Sequence, residues 1–285
     1  MKNGTRNKLS RSGIGNMVVF LILAIMGVFT AIPFLFSIVQ SLKPMDELFV
    51  YPPRLTVSRP TLNNFAVLFQ LTANTWVPLS RYLFNSLLLT VCGTLGNVVV
   101  CSLAAYPLAK SRFHGRDLLF NLVVVSLLFT YEVTFIPNYV ILSRLHMLDT
   151  FWALLLPAVA TPMGLFLMKQ FMEQIPDSVV ESARVDGAGS LTIYWRIIMP
   201  QVKPAWLTLV IFSFQALWNR EGLEFIFSEE LKMFPTILKQ VAASGVARAG
   251  AAAAAAVILM IPPILVFVLS QSNVIETMAS SGIKE

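Results

Sequence analysis

Long apolar stretches separated by shorter polar segments run through the whole chain. Six of these stretches approach or exceed the ~20 residues that a helix needs to cross the hydrocarbon core of a bilayer. They are continuous runs rather than short alternations of apolar and polar residues, which indicates spanning helices rather than barrel strands. The predicted spans are residues 14–42, 82–109, 118–136, 150–168, 204–218 and 250–271. The pattern therefore predicts an all-α integral membrane protein with six transmembrane helices.

The first apolar stretch follows a short basic segment, as the core of a secretory signal peptide does. Its charge-free run at residues 12–42 is, however, far longer than the roughly 7–15 apolar residues of such a core. We therefore expect it to be retained as the first transmembrane helix.

The distribution of Lys and Arg predicts the side of the membrane that each segment faces. Residues 1–13 contain four basic residues and no acidic one, and the short segment 110–117 contains three basic residues. Cytoplasmic segments are enriched in basic residues, so both segments are predicted inside, and an even number of spans puts both termini in the cytoplasm. The predicted organisation is a cytoplasmic segment (1–13), a first transmembrane helix (14–42), an extended extracytoplasmic loop (43–81), a core transmembrane domain (82–272) with a cytoplasmic loop at 173–203, and a cytoplasmic tail (273–285).

Composition agrees with a membrane protein and argues against nucleic-acid binding. The chain is 56% hydrophobic and 13% charged, with a mean hydropathy of +0.72, whereas soluble domains have about 25% charged residues. The net charge is +6, but the basic residues are spread over loops on alternate sides rather than gathered on one face. We therefore expect contact with membrane lipid and no nucleic-acid partner.

A polar segment punctuated by glycine, residues 181–200, lies between the fourth and fifth predicted spans. Ser178 and Glu181 have the spacing of a capping box, in which each side chain binds the other residue's backbone amide at the start of a helix. Gly187 can take the left-handed conformation that ends a helix, and Ser190 can cap a second helix that Pro200 limits. The segment therefore predicts a helix-turn-helix on the cytoplasmic face.

The first of these predicted helices carries a stripe of small residues. Val180, Ala183 and Gly187 are spaced so that they share one face. This stripe is predicted to let the helix lie closely in a groove of another protein. The alternative is an amphipathic loop on the membrane surface that binds no partner.

The sequence offers no site for chemistry. It contains no Gly-x-x-x-x-Gly-Lys-Ser/Thr loop, which in nucleotide-binding proteins cradles the phosphates. His114 and His146 are isolated from other metal-ligating residues, and Cys92 and Cys101 fall within one predicted helix as expected for small buried residues. We therefore expect no catalytic residue, metal or cofactor in this chain. If its function is driven by ATP, the ATP must be hydrolysed by another subunit.

The spacing of Glu181, Ala183, Gly187, Ile197 and Pro200 matches the EAA loop of ABC importer permeases, with Ser in place of Ala at 182 and Met in place of Leu at 199. Further similar segments follow in order along the chain: RYLFNS (81–86), SLAAY (102–106), RFHGR (112–116), IPNY (136–139), LDTFW (148–152), WRIIMP (195–200) and WN (218–219). Over nearly its full length, the chain resembles a MalG-type carbohydrate ABC importer permease, a binding-protein-dependent transport system inner membrane component.

This resemblance implies the fold of an ABC type I importer permease in the bacterial cell membrane. It implies that the chain forms half of a translocation pathway for a sugar or oligosaccharide, with four kinds of partner: a second permease of the MalF type, two ATP-binding subunits, an extracytoplasmic substrate-binding protein and the carbohydrate. ATP and Mg would bind to the ATPase partner. The residues that the resemblance assigns to ATPase coupling are Glu181, Ser182, Ala183, Asp186, Gly187, Ile197 and Pro200.

Four residues are candidates for the substrate pathway. Glu132 is the acidic residue within a predicted span, where ionisable groups face protein or water by default; alternatively, it reaches the interface or binds a neighbour. Gln215, Trp218 and Asn219 combine an aromatic ring with amides, which suits sugars, although aromatic residues at span ends also form the interfacial belt or pack. The segment 220–230 is either a contact for a substrate-binding protein or a solvated acidic loop.

Two other classes of protein compete with this interpretation. An ion-coupled secondary transporter predicts paired charges within the membrane and an internal repeat, and the sequence shows one acid and no clear repeat. A membrane-embedded enzyme predicts a convergent nucleophile, a metal set or paired carboxylates, and none is evident. A permease without its own motor therefore fits the sequence best.

Overall fold

The structure, a computed structural model, describes residues 13–52, 54–73 and 77–281. The helices of the first half are α1 (Gly13–Leu42), α2 (Met45–Leu48), α3 (Asn63–Ala73), α4 (Leu79–Lys110), α5 (Arg116–Ser126), α6 (Tyr131–Arg144) and α7 (Phe151–Val159). Those of the second half are α8 (Pro162–Glu173), α9 (Asp177–Val185), α10 (Ser190–Ile193), α11 (Met199–Gln201), α12 (Lys203–Trp218), α13 (Phe234–Ala243) and α14 (Ala249–Ser281). A π-helical turn (Tyr194–Ile198) joins α10 to α11, and 3₁₀ turns lie at Glu229–Leu231 and Val246–Arg248.

The described regular structure is entirely helical, which confirms the all-α prediction. Four stretches are long and apolar enough to cross a bilayer, namely Gly15–Leu42, Leu79–Lys110, Phe151–Glu173 and Val246–Ser270. Two bent pairs meet the same criterion, α5 with α6 at 110° and Ser190–Gln201 with α12 at 79°. If each bent pair is one span, the total is the predicted six. The predicted segment 1–13 lies outside the described residues except for Gly13, which begins α1, and residues 282–285 of the predicted tail also lie outside them.

The third predicted span, residues 118–136, is not one helix. The backbone amides of Leu127, Leu128 and Phe129 bind carbonyls three residues earlier, which tightens the end of α5. Thr130 is then extended, with φ −76° and ψ 165°, and the chain turns sharply into α6. The apolar run at 137–142, too short to be predicted as a span, belongs to this second helix, whose interior includes Pro137.

The segment 43–81 is folded back on the helices rather than extended as predicted. It contains α2, α3 and the first residues of α4, and α3 packs on α14. The buried amide of Asn64 donates to the carbonyls of Ser41 at 2.9 Å and Lys43 at 2.7 Å, which fastens α3 to the end of α1. Lys43 is itself buried, and its ammonium group donates to the carbonyl of Arg54.

α4 is the central helix of the molecule and packs against α7, α8 and α12. α1 lies at the periphery along α14, with most of its large apolar side chains exposed. A bilayer or another membrane subunit would cover such a face, since an apolar surface of this size is unfavourable in water.

A buried asparagine fastens α4 to a break in the fourth span. Asn97 is fully buried and donates at 2.9 Å both to the carbonyl of Ala158 and to the hydroxyl of Thr161. The Ser213 hydroxyl on α12 donates back to the Asn97 carbonyl oxygen at 3.0 Å. Thr161 also caps α8 by accepting from the Gly164 amide. Backbone groups freed by the break are thereby satisfied inside the protein, as a membrane environment requires.

Candidate functional site

The polar segment between the fourth and fifth spans begins with the amphipathic helix α9, which ends at Gly187 as predicted. Gly187 has φ +82°, in the left-handed region that suits glycine. Its amide donates to the carbonyl of Arg184 at 3.0 Å, and the Ala188 amide donates to the carbonyl of Ala183 at 2.9 Å. This pair of bonds is a Schellman motif, which satisfies the last carbonyls of the helix.

The start of α9 differs from the predicted capping box. Pro176 occupies the N-cap position and Ser178 lies inside the first turn, where its carbonyl accepts from the Ser182 hydroxyl at 2.8 Å. Asp177 instead anchors the helix, since its carboxylate lies 2.8 Å from the buried ammonium of Lys110 at the end of α4. The hydrogen bond and positive charge of Lys110 lower the pKa of the Asp177 carboxyl.

The second helix of the segment is interrupted rather than regular. Ser190 is its first residue and not its cap, because Gly189 holds the N-cap position. The backbone passes from α10 into the π turn and then into α11, which contains Pro200 and ends at Gln201. Pro200 is the second residue of α11, and the helical stretch ends one residue later at Gln201, close to the limit that the sequence predicted.

Two of the three residues in the predicted stripe of small residues face the chain's own core, whereas the third, Gly187, is exposed at the turn. Val180 and Ala183 are 4% and 7% exposed and pack in the cluster that includes Met172, Tyr194 and Ile198. The reason is the amphipathicity of α9, whose apolar side covers the junction between α8 and α12. A partner can therefore contact only the opposite side of this helix.

The candidate coupling residues divide into two groups by exposure. Ala183 is buried and Ile197 is half-buried against the same cluster. The exposed members are Glu181, Ser182, Asp186, Gly187 and Pro200. The structure therefore leaves five of the seven candidates available to a partner, with carboxylates next to the turn at Gly187.

Two exposed apolar residues flank this turn. The Val185 side chain is 88% exposed at the end of α9, and Leu191 is 68% exposed at the start of α10. Isolated exposed apolar residues are common, but these two flank the turn itself, and Trp195, which is 52% exposed, adds a third apolar side chain to the same hairpin. We define Glu181, Val185, Asp186, Gly187 and Leu191 as the hairpin face.

The pathway candidates are not gathered into one site. Gln215 and Asn219 lie one turn apart at the end of α12 and line a cavity of about 490 Å³ between α1, α12 and α14. Its remaining lining is apolar or aromatic: Phe34, Ile211, Phe212, Phe214, Leu259, Met260, Pro263, Ile264, Val266 and Phe267. The side-chain amide of Asn219 donates to the backbone carbonyl of Gln215 at 2.9 Å, and the side-chain amide of Gln215 makes no hydrogen bond among the described contacts.

Trp218 and Glu132 lie away from this cavity. Trp218 is 3% exposed, stacks on Phe214, and donates from Nε1 to the carbonyl of Leu259 at 2.8 Å. It therefore joins α12 to α14 by packing, the alternative considered for it. Glu132 is exposed in the first turn of α6 and does not line the cavity.

A second polar cluster lies at the same end of α12. Arg220 lies over the rings of Tyr131 and Phe225, 6.0 and 5.9 Å from their centroids, and pairs with Glu224 at 3.8 Å. The Tyr131 hydroxyl donates to the Glu224 carboxylate. Tyr131, Arg220 and Glu224, together with Glu221, border a shallow cavity of about 400 Å³.

An aspartate holds the loop that follows α12 in place. Asp149, with φ +57°, accepts at 2.8 Å from the amides of Phe227 and Ser228, and also from the Ser228 hydroxyl. The Ser228 hydroxyl and amide lower the pKa of the Asp149 carboxyl. The acidic segment 220–230 is therefore ordered against the loop before α7, not freely solvated.

The comparison with protein families decides the identity of this architecture. Residues 14–279 match the model of the family described as binding-protein-dependent transport system inner membrane component. The chain belongs to this family. The resemblance inferred from the EAA spacing is thereby confirmed, and the match covers the hairpin, both cavities and all six candidate spans.

Individual proteins that are similar to this chain support its membership of the family. Protein LplC of Bacillus subtilis is 33% identical over 222 residues, which cover 75% of this chain and 71% of LplC. The arabinooligosaccharides transport system permease protein AraQ of the same organism is 26% identical, over 93% of each chain. A crystal structure of a bacterial ABC transporter involved in alginate import matches with a TM-score of 0.79 at 20% identity, over 92% of this chain and 98% of that one. The ABC importer permease fold is thereby shown.

Several residues that shape this permease were not identified from the sequence. Asn97 is an uncharged amide in an apolar span, and a search for polar residues within spans would have found it. Val185 is an isolated apolar residue in a polar segment, so it belongs to no hydrophobic periodicity that could have identified it. The π turn at Tyr194–Ile198 had no local marker, because its residues are compatible with an ordinary α-helix.

Proposed function

We propose that this chain is the permease subunit of an ATP-driven carbohydrate importer, in which it forms half of the translocation pathway. The observation that carries the proposal is the hairpin face. Its residues are exposed, while the inner side of the same hairpin is packed on the membrane helices. Val180 and Ala183 fix the inner side of α9 and Lys110 fixes its start, so a push on the outer side is passed to α4, α8 and α12.

The hairpin would face the cytoplasm and dock on one of two ATP-binding subunits, where ATP and Mg bind. Val185 and Leu191 suit the role of apolar contacts, because their exposed side chains would be removed from water on association. Glu181 and Asp186 would add charge complementarity at the rim. A second permease, of the MalF type, would cover α1 and the cavity beside it in the cell membrane.

The carbohydrate assignment is supported by AraQ, a permease for arabinooligosaccharides, and by the importer of the acidic polysaccharide alginate. The cavity with Gln215 and Asn219 suits such a substrate, since amides bind hydroxyls and the aromatic lining covers the apolar faces of sugar rings. An extracytoplasmic binding protein would deliver the sugar. The ion-coupled alternative is not favoured, because the family depends on a binding protein.

The docking proposal is tested by Val185→Asp in the complex purified in detergent from its native membranes. Photolabelling with 8-azido-ATP reports whether an ATP-binding subunit remains attached. Both the wild-type side chain and its replacement are exposed, so we expect the permease to fold and the labelled partner to be lost. Val246→Asp is the matched control, as Val246 is 68% exposed but distant in sequence from the hairpin. Equal labelling in both variants contradicts docking through Val185.

The pathway proposal is tested by Gln215→Leu in proteoliposomes that contain the whole complex. Uptake is measured with the radiolabelled oligosaccharide that the wild-type complex transports fastest from a panel of neutral and acidic ones. We expect reduced uptake and an unchanged basal ATPase rate. Gln70→Leu, at an exposed position of α3, is the control. Unimpaired uptake by the Gln215 variant contradicts its role in the pathway.

A further inference from the structure

The π turn in the hairpin places a buried tyrosine against the central helix. Tyr194 is fully buried, and its hydroxyl lies 2.6 Å from the hydroxyl oxygen of Ser102 on α4. The Ser102 hydroxyl is also 3.1 Å from the carbonyl of Val99, to which it donates its hydrogen. Since Ser102 has one hydrogen to donate, Tyr194 must be the donor to Ser102. The result is a directed chain, Tyr194 to Ser102 to Val99, from the hairpin into α4.

The ring of Tyr194 is held as closely as its hydroxyl. The Tyr106 ring of α4 lies 5.6 Å away between centroids, and the Trp195 ring lies edge-on at 4.9 Å. Ala105 and Ile198 belong to the same buried cluster. Because Tyr194 is part of the π turn and packs closely on α4, a displacement of this turn presses on α4, since a close-packed interior transmits strain.

The π turn can act as a mechanical element because it carries one extra residue per turn. Such turns are frequent at functional sites. Its backbone bond runs from the amide of Met199 to the carbonyl of Tyr194, and the chain bends by 79° between this helical stretch and α12. Only α11 separates the π turn from this bend, so we expect a change in the turn to shift the start of α12.

The central helix extends the connection from Ser102 toward the pathway. Five residues before Ser102, Asn97 binds the break between α7 and α8 and receives the hydroxyl of Ser213 on α12. The two polar contacts thus lie about 1.5 turns apart on one helix. Both are buried, where an unmade hydrogen bond is costly.

We propose that the Tyr194 hydroxyl is a positioning contact, which transmits movement of the hairpin to α4 and through Asn97 to the pathway helices. This inference rests on the proposed function, since it requires an ATPase that moves the hairpin. Tyr194 does not contact ATP or the sugar in this account. It acts through Ser102.

The test is Tyr194→Phe in the complete complex in proteoliposomes, measured as sugar transported per ATP hydrolysed. The oligosaccharide is the one transported fastest by the wild-type complex. Phenylalanine retains the ring contacts and removes the bond, so we expect this ratio to fall by about three- to tenfold, the equilibrium effect of one hydrogen bond. A purely structural contact would change the thermal unfolding midpoint but leave the ratio unchanged. Tyr106→Phe is the matched control, as that ring lies in the same cluster and its hydroxyl makes no bond in the described contacts.

Ser102→Ala tests the same bond from α4 and decides the matter if the Tyr194 variant does not assemble. We expect the same loss of coupling, and no additional loss in the double variant, because both changes remove one contact. A normal ratio in Ser102→Ala, or equal losses in Tyr194→Phe and Tyr106→Phe, overturns the inference. Labelling with 8-azido-ATP separates this failure from that of the proposed function. If the wild-type complex contains no labelled partner, the proposed function fails; if the partner is present but the ratio is unaffected, only the role of Tyr194 fails.

Discussion

Replacement of Gly187 by valine tests whether the backbone conformation of the turn, rather than its side-chain contacts, is needed for coupling. A Cβ atom at this position would meet no other group within 4 Å, so the substitution causes no steric clash in the chain. Its cost comes from φ +82°, which an L-amino acid with a side chain adopts at about 1–2 kcal/mol, with β-branched residues at the upper end. A free-energy difference of about 1.4 kcal/mol changes an equilibrium constant tenfold. The ratio of intact Schellman turns to other conformations of this turn should therefore fall by about five- to thirtyfold.

The effect should appear in coupling rather than in folding. The turn is exposed, and the buried side of α9 is unchanged, so we expect the unfolding midpoint of the purified complex to remain close to that of the wild type. We expect sugar-stimulated ATPase activity and uptake in proteoliposomes to decline together with the fraction of correctly oriented hairpins. Gly187→Asn should retain most activity, because asparagine tolerates the left-handed region better than other residues with side chains.

The matched control is Gly189→Val, two residues further along the same turn. Gly189 has φ −70°, and a Cβ atom added there would likewise meet no group within 4 Å, so valine is introduced without backbone strain. Unchanged uptake in Gly187→Val would refute the reasoning. Equal losses at both positions would also refute it, since side-chain bulk at the partner surface would then explain the loss without any contribution from φ.

Three other substitutions test contacts outside the hairpin. Asp149→Asn keeps a residue that tolerates φ +57° but removes the charged acceptor, so we expect the complex to lose about 1–2 kcal/mol of stability at pH 7. Since the folded pKa of Asp149 is lowered, the carboxylate's contribution exists above the ordinary value near 4 and is lost as pH falls below it; unfolding midpoints of wild type and variant should therefore converge in acid, and a gap that is independent of pH would contradict this. Gly250→Ala would place Cβ 2.3 Å from Oδ1 of Asn64, so we expect about 1–3 kcal/mol of destabilisation in thermal unfolding, and an unchanged midpoint would show that Asn64 moves freely. Trp218→Phe should lower the unfolding midpoint, because the hydrogen bond to the Leu259 carbonyl is lost. The preference among oligosaccharides in uptake competition should not change, because Trp218 does not line the cavity. An altered preference would contradict this and indicate that Trp218 contacts the substrate.

The apolar runs predicted where helices lie, but not where those helices bend. A continuous run specifies burial in lipid, and the residues 127–130 contain neither Gly nor Pro to mark the 110° turn between α5 and α6. The bend is fixed instead by contacts with distant segments, such as Phe135 against Phe225. The predicted extended loop at 43–81 was wrong for the same reason, since α3 is held by Asn64 and by its packing on α14. Tertiary contacts between distant residues are absent from a hydropathy pattern.

The hairpin shows a different limit of sequence reasoning. Glycine at 187 predicted the end of α9 correctly, because a positive φ has few solutions among the amino acids. The small residues at 180 and 183 were assigned to a partner interface because small side chains permit close approach, but close approach occurs equally against the chain's own helices. Periodicity identifies two faces of a helix and does not say which neighbour each face meets.

This assignment of faces changes what the EAA pattern means in this protein. Ala183 and Ile197 are packed inside, and Gly187 shapes the turn, so these members of the pattern build the hairpin. The exposed side chains that a partner could contact are Glu181 and Pro200 within the pattern, and Ser182, Val185, Asp186 and Leu191 outside its five spaced positions. Two permeases of this family can therefore share the spacing and the fold of the hairpin while presenting different side chains outward. Under the proposed function, the motif would define how the hairpin is held, and the exposed residues between its members would determine which ATP-binding subunit it fits.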